Sequence, residues 1–108
     1  MTTVSARIQV PATARRGEII EINTLVRHPM ETGFRRTQLG ERIPRNIITR
    51  FICTYNGVEI LSADYHPATA ANPLLTFSTV ATESGTLEFR WTGDNGFSFT
   101  ETAKIVVA

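Results

Sequence analysis

Apolar and polar side chains alternate along most of this chain with a period of two, the pattern of β-strands buried on one face. In GTLEFRWTGD, Leu87, Phe89 and Trp91 alternate with polar or charged residues. Similar runs recur along the chain, in ARIQV, EIIEINTLV, ICTYNGVEIL, ANPLLTFSTVA and FSFTETAKIVVA. No segment keeps an apolar period of 3.6 residues for three turns, so the pattern predicts no α-helix.

Turn signals separate these runs. Asn56-Gly57 is a strong two-residue hairpin signal, and Asp94-Asn95-Gly96 supplies residues that tolerate positive φ. A length of 108 residues suits one domain, which we expect to span residues 1–108. About seven short antiparallel strands in such a length predict an all-β, immunoglobulin-like β-sandwich, although the Cys…Trp…Cys signature of antibody domains is absent.

The central hairpin predicts two apolar faces. A two-residue turn at 56–57 places Cys53 opposite Ile60 and Ile52 opposite Leu61, and directly opposed residues share a face. One face then carries Phe51, Cys53, Tyr55, Val58 and Ile60. The other carries Ile48, Ile52 and Leu61 among polar residues. A sandwich strand needs only one apolar face, so the second would cover a loop or contact another protein.

Charge and composition exclude several classes of protein. The net charge of +1 gives no reason to expect nucleic acid or a membrane surface as partner. The start of the chain has no basic residues followed by an apolar core, and no window approaches 18 apolar residues. Taken alone, these facts predict a soluble cytoplasmic protein.

The residues that bind metals or act as nucleophiles are few. Cys53, His28, His66 and Met30 are the ligand types of a copper site, but Cys53 lies mid-strand and no histidine follows it within ten residues. The spacing therefore predicts no metal, with Cys53 buried and both histidines at strand ends before a proline. Without a base near the thiol, paired carboxylates or a phosphate-binding loop, we expect no active site, no cofactor and no enzymatic activity.

One long segment, HPMETGFRRTQLGERIPR at 28–45, has no periodicity. Long irregular loops in compact domains are usually functional or disordered. The prolines near its two ends restrict the residues before them to extended geometry, which favours a positioned loop. Its arginines are Arg35, Arg36, Arg42 and Arg45. They are either solvated or form a surface for anionic groups, since guanidinium makes forked contacts with carboxylates and oxyanions.

Four motifs carry a family resemblance. In order, HPMETGFR, IPRNIITRFICTYNG, ANPLLTFS and WTGDNGF resemble the SoxZ family, the Z subunit of the sulfur-oxidation carrier complex SoxYZ, over essentially the whole chain. The resemblance implies a non-catalytic subunit that forms a heterodimer with SoxY. The Gly-Gly-Cys-Gly-Gly arm of SoxY carries covalent sulfur intermediates during the oxidation of thiosulfate to sulfate.

The resemblance also implies transient partners and a compartment. The loaded arm visits a haem enzyme, a manganese hydrolase and a sulfur dehydrogenase. Members of the family act in the periplasm without a signal peptide of their own and are exported with the SoxY-type partner. This expectation replaces the cytoplasmic one.

We therefore expect the irregular loop and the second hairpin face to contribute a surface for SoxY or the visiting enzymes. The residues expected there are His28, Met30, Phe34, Arg35, Arg36, Arg45, Ile48, Ile52 and Leu61. The arginines would also favour the anionic thiosulfonate on the arm. For Cys53 we expect burial, with an interprotein disulfide as the alternative in an oxidising compartment.

The sequence also leaves the oligomeric state of the isolated subunit and two alternative functions open. We expect the isolated subunit to form a homodimer when its partner is missing. The alternative functions are a small metal-binding redox protein and a generic β-sandwich interaction module.

Overall fold

The computed structural model describes residues 5–66, 69 and 71–108. Eight strands form within them: β1 (Ala6–Gln9), β2 (Thr13–Ala14), β3 (Ile19–Val26), β4 (Ile48–Tyr55), β5 (Val58–Asp64), β6 (Leu74–Val80), β7 (Gly85–Gly93) and β8 (Ser98–Val107). All the predicted strands are present. The eighth, β2, is only two residues long and pairs in parallel with β8, so it is too short to leave a periodic signal. The expected strand end at His66-Pro67 lies partly outside the described residues.

The strands form two stacked sheets. The smaller has the order β1-β3-β6 and the larger has the order β2-β8-β7-β4-β5, and every pair except β2–β8 is antiparallel. Phe51 on β4 packs against Phe77 on β6, with ring centroids 6.2 Å apart, and against Trp91 on β7 at 5.2 Å. The predicted immunoglobulin-like β-sandwich is confirmed, and its core lies between the sheets, where the alternating residues of β7 are fully buried.

The hairpin between β4 and β5 differs from its predicted register. Asn56 and Gly57 both have positive φ, 49° and 82°, and Tyr55 pairs with Val58 across the expected two-residue turn. A bulge next to Cys53 then shifts the ladder by one residue, so that Cys53 pairs with Leu61. The predicted Cys53–Ile60 and Ile52–Leu61 pairs are therefore wrong, because a bulge adds a residue on one strand that side-chain alternation does not reveal.

The predicted second apolar face is also wrong. A second irregularity, between Ile48 and Arg50, lets Ile48 be fully buried, and Leu61 shares the inner side with Cys53. Ile52 stays on the outer side, half-buried, where its neighbours on β4, β7 and β8 are polar. Those neighbours are Arg50, Thr54, Glu88, Arg90, Thr100 and Thr102. Val58, predicted on the core face, is 66% exposed at the open side of the sandwich.

No helix among the described residues is long and apolar enough to cross a membrane. The predicted turn at Asp94–Gly96 is one short 3-10 turn that joins β7 to β8.

Candidate functional site

The irregular segment forms a folded ribbon, residues 28–46, that returns on itself between β3 and β4. Glu31 and Asn46 exchange two backbone hydrogen bonds of 2.9 and 2.8 Å. Further out, the Ile43 N–H donates to the Arg35 carbonyl at 2.9 Å, and the Thr37 N–H donates to the Glu41 carbonyl at 2.8 Å. The ribbon is thus an ordered element, as its proline-restricted ends predict, and not a solvated coil.

His28 anchors the base of the ribbon. Its backbone N–H donates to Asn72 Oδ1 at 2.8 Å, and its carbonyl accepts the Asn72 N–H at 2.7 Å. Its Nδ1 accepts the Met30 N–H at 3.0 Å, while its ring meets Phe97 edge-on with centroids 4.9 Å apart. Burial lowers the pKa of His28, and the negative charge of Asp94 partly opposes that shift.

Met30 is the second buried anchor. It adopts a positive φ of 52°, which is uncommon for such a residue, and its Sδ accepts the Ile48 N–H at 3.3 Å. Both His28 and Met30 are buried in this chain, so neither side chain presents a surface to a partner. Their place in the structure is to hold the ribbon against β4 and the 3-10 turn.

Arg45 and Asp94 clamp the ribbon to that turn. Arg45 Nε donates to Asp94 Oδ2 at 2.8 Å and Nη2 donates to Oδ1 at 2.9 Å, a forked pair. Asp94 Oδ2 also accepts the Ile47 N–H at 3.2 Å, and Asn95 Nδ2 donates to the Arg45 carbonyl at 3.3 Å. The hydrogen bonds from Arg45 hold the pKa of Asp94 below its ordinary value. Arg45 is therefore engaged within the chain.

The other arginines of the ribbon fall into two groups. Arg35 is paired with Glu31, which raises the pKa of the guanidinium and lowers that of the carboxyl. Arg36 donates to the Gly40 carbonyl at 3.0 Å, and neither Arg36 nor Arg42 makes an ion pair with any described residue. The cations left for an external group are thus those of Arg36 and Arg42.

Two large apolar side chains project from the ribbon. Phe34 is 77% exposed, and Leu39, beside the turn at Gly40, is 88% exposed. Together with Arg36 and Arg42 they form what we call the ribbon tip: Phe34, Arg36, Leu39 and Arg42. Phe34 and Arg36 are among the contact residues predicted from the sequence. Leu39 is not among them, and its signal in the sequence is a lone leucine among the polar turn residues of TQLG.

Cys53 lies away from the ribbon, in the core. It is fully buried, as expected, and burial raises the pKa of its thiol to about 12. It stands five residues along β4 from Ile48, about 16 Å at the rise of a strand, so it does not join His28 and Met30. The part of the chain that the structure describes contains no group of three or more His, Cys, Asp or Glu residues that would hold a metal ion.

Comparison with protein families decides the family. The sequence matches the model described as "Sulphur oxidation protein SoxZ" over residues 8–104. This chain belongs to the SoxZ family. The match covers nearly the whole chain and includes the ribbon, and it places the chain among the sulphur oxidation proteins. A comparison with curated proteins finds no match for this sequence.

Solved structures extend the likeness of fold. The sulfur carrier protein SoxY from Chlorobium limicola f. thiosulfatophilum is similar with a TM-score of 0.69 and 12% identity, over 95% of this chain and 78% of that one. A superoxide reductase (neelaredoxin) from Ignicoccus hospitalis has a TM-score of 0.73 and 17% identity, over 96% and 80%. A putative superoxide reductase from Thermotoga maritima has a TM-score of 0.71 and 16% identity, over 95% and 85%. At these identities the likeness concerns the fold.

Proposed function

We propose that this chain is the non-catalytic subunit of a SoxYZ carrier complex and pairs with a SoxY-type subunit. The cysteine arm of that partner carries covalently bound sulfur intermediates while thiosulfate is oxidised to sulfate. The observation that carries the proposal is the SoxZ family match over residues 8–104, and the likeness of fold to SoxY is in keeping with it. The likeness to superoxide reductases concerns the fold alone, and the described residues hold no group of three or more His, Cys, Asp or Glu that would support the alternative of a small metal-binding redox protein.

The ribbon tip is proposed as a contact surface for SoxY or for the enzymes that the loaded arm visits. Exposed Phe34 and Leu39 supply apolar area, and aromatic residues and arginines are enriched in protein interfaces. Arg36 and Arg42 supply guanidinium groups suited to carboxylates or to the anionic thiosulfonate. Arg35 and Arg45 support this surface from within the ribbon, because their charges are already paired with Glu31 and Asp94.

The remaining expectations belong to the same proposal. The visiting enzymes are a haem enzyme, a manganese hydrolase and a sulfur dehydrogenase, and the complex works in the periplasm after export with the SoxY-type partner. The isolated chain forms a homodimer when that partner is missing. Each is open to direct measurement: fractionation of the native cell for the compartment, and sedimentation of the purified chain for the dimer.

The ribbon tip is tested by removing its charges and its apolar groups separately. We expect Phe34→Ala/Leu39→Ala and Arg36→Ala/Arg42→Ala each to lower either the affinity for SoxY or the rate of thiosulfate oxidation by about tenfold, the effect of losing a few central contacts. The matched control for charge is Arg7→Ala/Arg16→Ala, two exposed arginines elsewhere on the chain. Unchanged affinity and unchanged turnover in both ribbon variants would contradict the proposal that the ribbon tip is a contact surface.

A further inference from the structure

Among the described strands, β6 is an open edge whose outward backbone groups have no strand beside them. The Val26 N–H donates to the Pro73 carbonyl at 3.3 Å, and the Ala81 N–H donates to the Glu18 carbonyl at 2.8 Å. Because hydrogen-bonded pairs alternate in an antiparallel ladder, every second residue between these points turns its N–H and C=O toward β3. The intervening residues turn theirs toward the open edge, and these are Leu74, Thr76, Ser78 and Val80.

The other edges of the two sheets are protected in ways that β6 is not. Strand β1 has four residues and carries Arg7. In the larger sheet, β2 pairs with only Val106 and Val107 of β8, and the uncovered part of β8 carries Glu101 and Lys104. Strand β5 has a bulged register and carries Glu59 and Asp64. Strand β6 runs for seven residues in continuous register and holds no charged residue. Proteins usually blunt exposed edges with charges, bulges or shortness, so an unprotected edge of this length indicates a place for pairing.

The larger sheet extends one strand beyond this open edge. Strand β1 contacts β8 and β6 packs over β4, so no strand of the smaller sheet faces β5. A groove of about 340 Å³ lies between β5 and β6. The residues that line it are Tyr55, Val58, Ile60, Thr79, Val80, Thr82 and Glu83. The side chains of Val58 and Val80 are 66% and 45% exposed there, which leaves apolar surface without cover.

We propose that a single extended segment of the SoxY-type subunit binds here as a fourth strand of the smaller sheet. The inference rests on the proposed function for the identity of the partner. The backbone of the segment bonds to the outward groups of β6, and alternate side chains enter the groove over β5, the mode of strand addition to a sheet edge. Because β6 carries no charge and the groove wall includes Val58 and Ile60, the segment is apolar on its inward side, and Glu83 in the lining disfavours a carboxylate there.

A second copy of this chain does not fit the same edge in an antiparallel pair. Two β6 strands paired antiparallel around a twofold axis would form one continuous smaller sheet. Each larger sheet, however, extends one strand further than its smaller sheet, so the β5 strand of each copy would enter the space of its counterpart's β4. The overhang therefore disfavours this antiparallel dimer and favours a segment that projects from its own domain.

Amide hydrogen exchange tests the inference on the wild-type chain. Free, the amides of Leu75, Phe77 and Thr79 should be protected by β3, whereas those of Thr76 and Ser78 should exchange quickly. In the complex with the SoxY-type subunit, Thr76, Ser78 and Val80 should become protected as well. A complex in which these outward amides still exchange quickly would overturn the inference and leave the proposed function standing. Failure to form any complex would overturn both.

A proline variant supplies the second test. Ser78→Pro removes an outward N–H, and proline is tolerated on edge strands where the N–H faces solvent. We expect it to keep the thermal midpoint close to that of the wild type and to weaken SoxY binding by about tenfold. The matched control, Ser78→Ala, keeps the N–H and should bind as the wild type does. Equal binding by the two variants would contradict strand addition, and if Ser78→Pro does not fold, the exchange experiment decides.

Discussion

At the residue scale, the buried histidine gives the ribbon a dependence on pH. Burial lowers the pKa of His28 below its ordinary value of 6.5, so the unfolded chain takes up a proton at a higher pH than the folded chain does. The stability that neutral His28 contributes is fully present above about pH 6.5 and is lost as the pH falls through that value toward the folded pKa. Protonation of Nδ1 would also remove the acceptor of the Met30 N–H.

We therefore expect the free energy of unfolding to fall between about pH 7.5 and pH 5, a range in which Asp94 stays ionised in both states. His28→Asn should flatten this dependence, and His66→Asn, at an exposed position, should keep it. Denaturant titrations at several pH values measure the effect. An equal slope in the wild type and in His28→Asn would show that another group is responsible.

Cys53 offers a prediction about reactivity. The thiolate is the reactive form, and a fully buried thiol with a pKa of about 12 is almost entirely protonated near neutral pH. Alkylation of the native chain should be slow and limited by opening of the core, and denaturant should make it fast. Rapid modification of the native chain, or a disulfide between copies under mild oxidation, would favour the cross-linking alternative.

At the scale of elements, alternation predicted the strands but not their register. The runs around Leu87 and Ile22 point to β7 and β3 because one face of each is buried. The two bulges are different. One adds Thr49 in β4 and the other adds Ile60 in β5, and such a bulge moves a residue such as Ile48 to the other face without changing the local composition. The inner position of Leu61 was unpredictable for the same reason.

The ribbon was predictable only as an exception to the alternation. The prolines near its two ends predicted an ordered loop. The contact of Arg45 with Asp94, however, joins residues 49 apart in sequence, and the spacing of residues does not reveal such a contact. The same holds for His28 and Asn72. The contact roles expected for His28 and Met30 could not be separated from structural ones by sequence, because these two residues are buried and hold the ribbon in place.

Gly93 tests how the ribbon base is packed. A Cβ at this position would lie 2.3 Å from the Ile47 carbonyl oxygen and 2.9 Å from the Ile48 Cα, and both are backbone atoms that cannot move cheaply. We expect Gly93→Ala to lower the free energy of unfolding by about 1–3 kcal/mol, the usual cost of overpacking. Ser98→Ala, at an exposed position of β8, should change it little. Equal midpoints in denaturant for the two variants would mean that the backbone of Ile47 and Ile48 shifts to accommodate the added methyl group without a loss of stability.

At the scale of the whole molecule, the outer face of the larger sheet differs from the surfaces proposed for a partner. The outer face of β4, β7 and β8 is largely polar and offers little apolar area. The second apolar face expected for the central hairpin is therefore not present there. The surfaces that we propose for a partner are the ribbon tip and the open edge of β6. Neither could be predicted as a surface from alternation alone, because one is aperiodic and the other is defined by the strand missing opposite β5.

The central claim is that this SoxZ-family chain works as half of a carrier heterodimer. The most direct measurement is the native mass of the chain after co-expression with a SoxY-type subunit that ends in the Gly-Gly-Cys-Gly-Gly arm. The account predicts a stable complex with one copy of each subunit. A chain that remains separate from the arm-bearing subunit at micromolar concentration would contradict it.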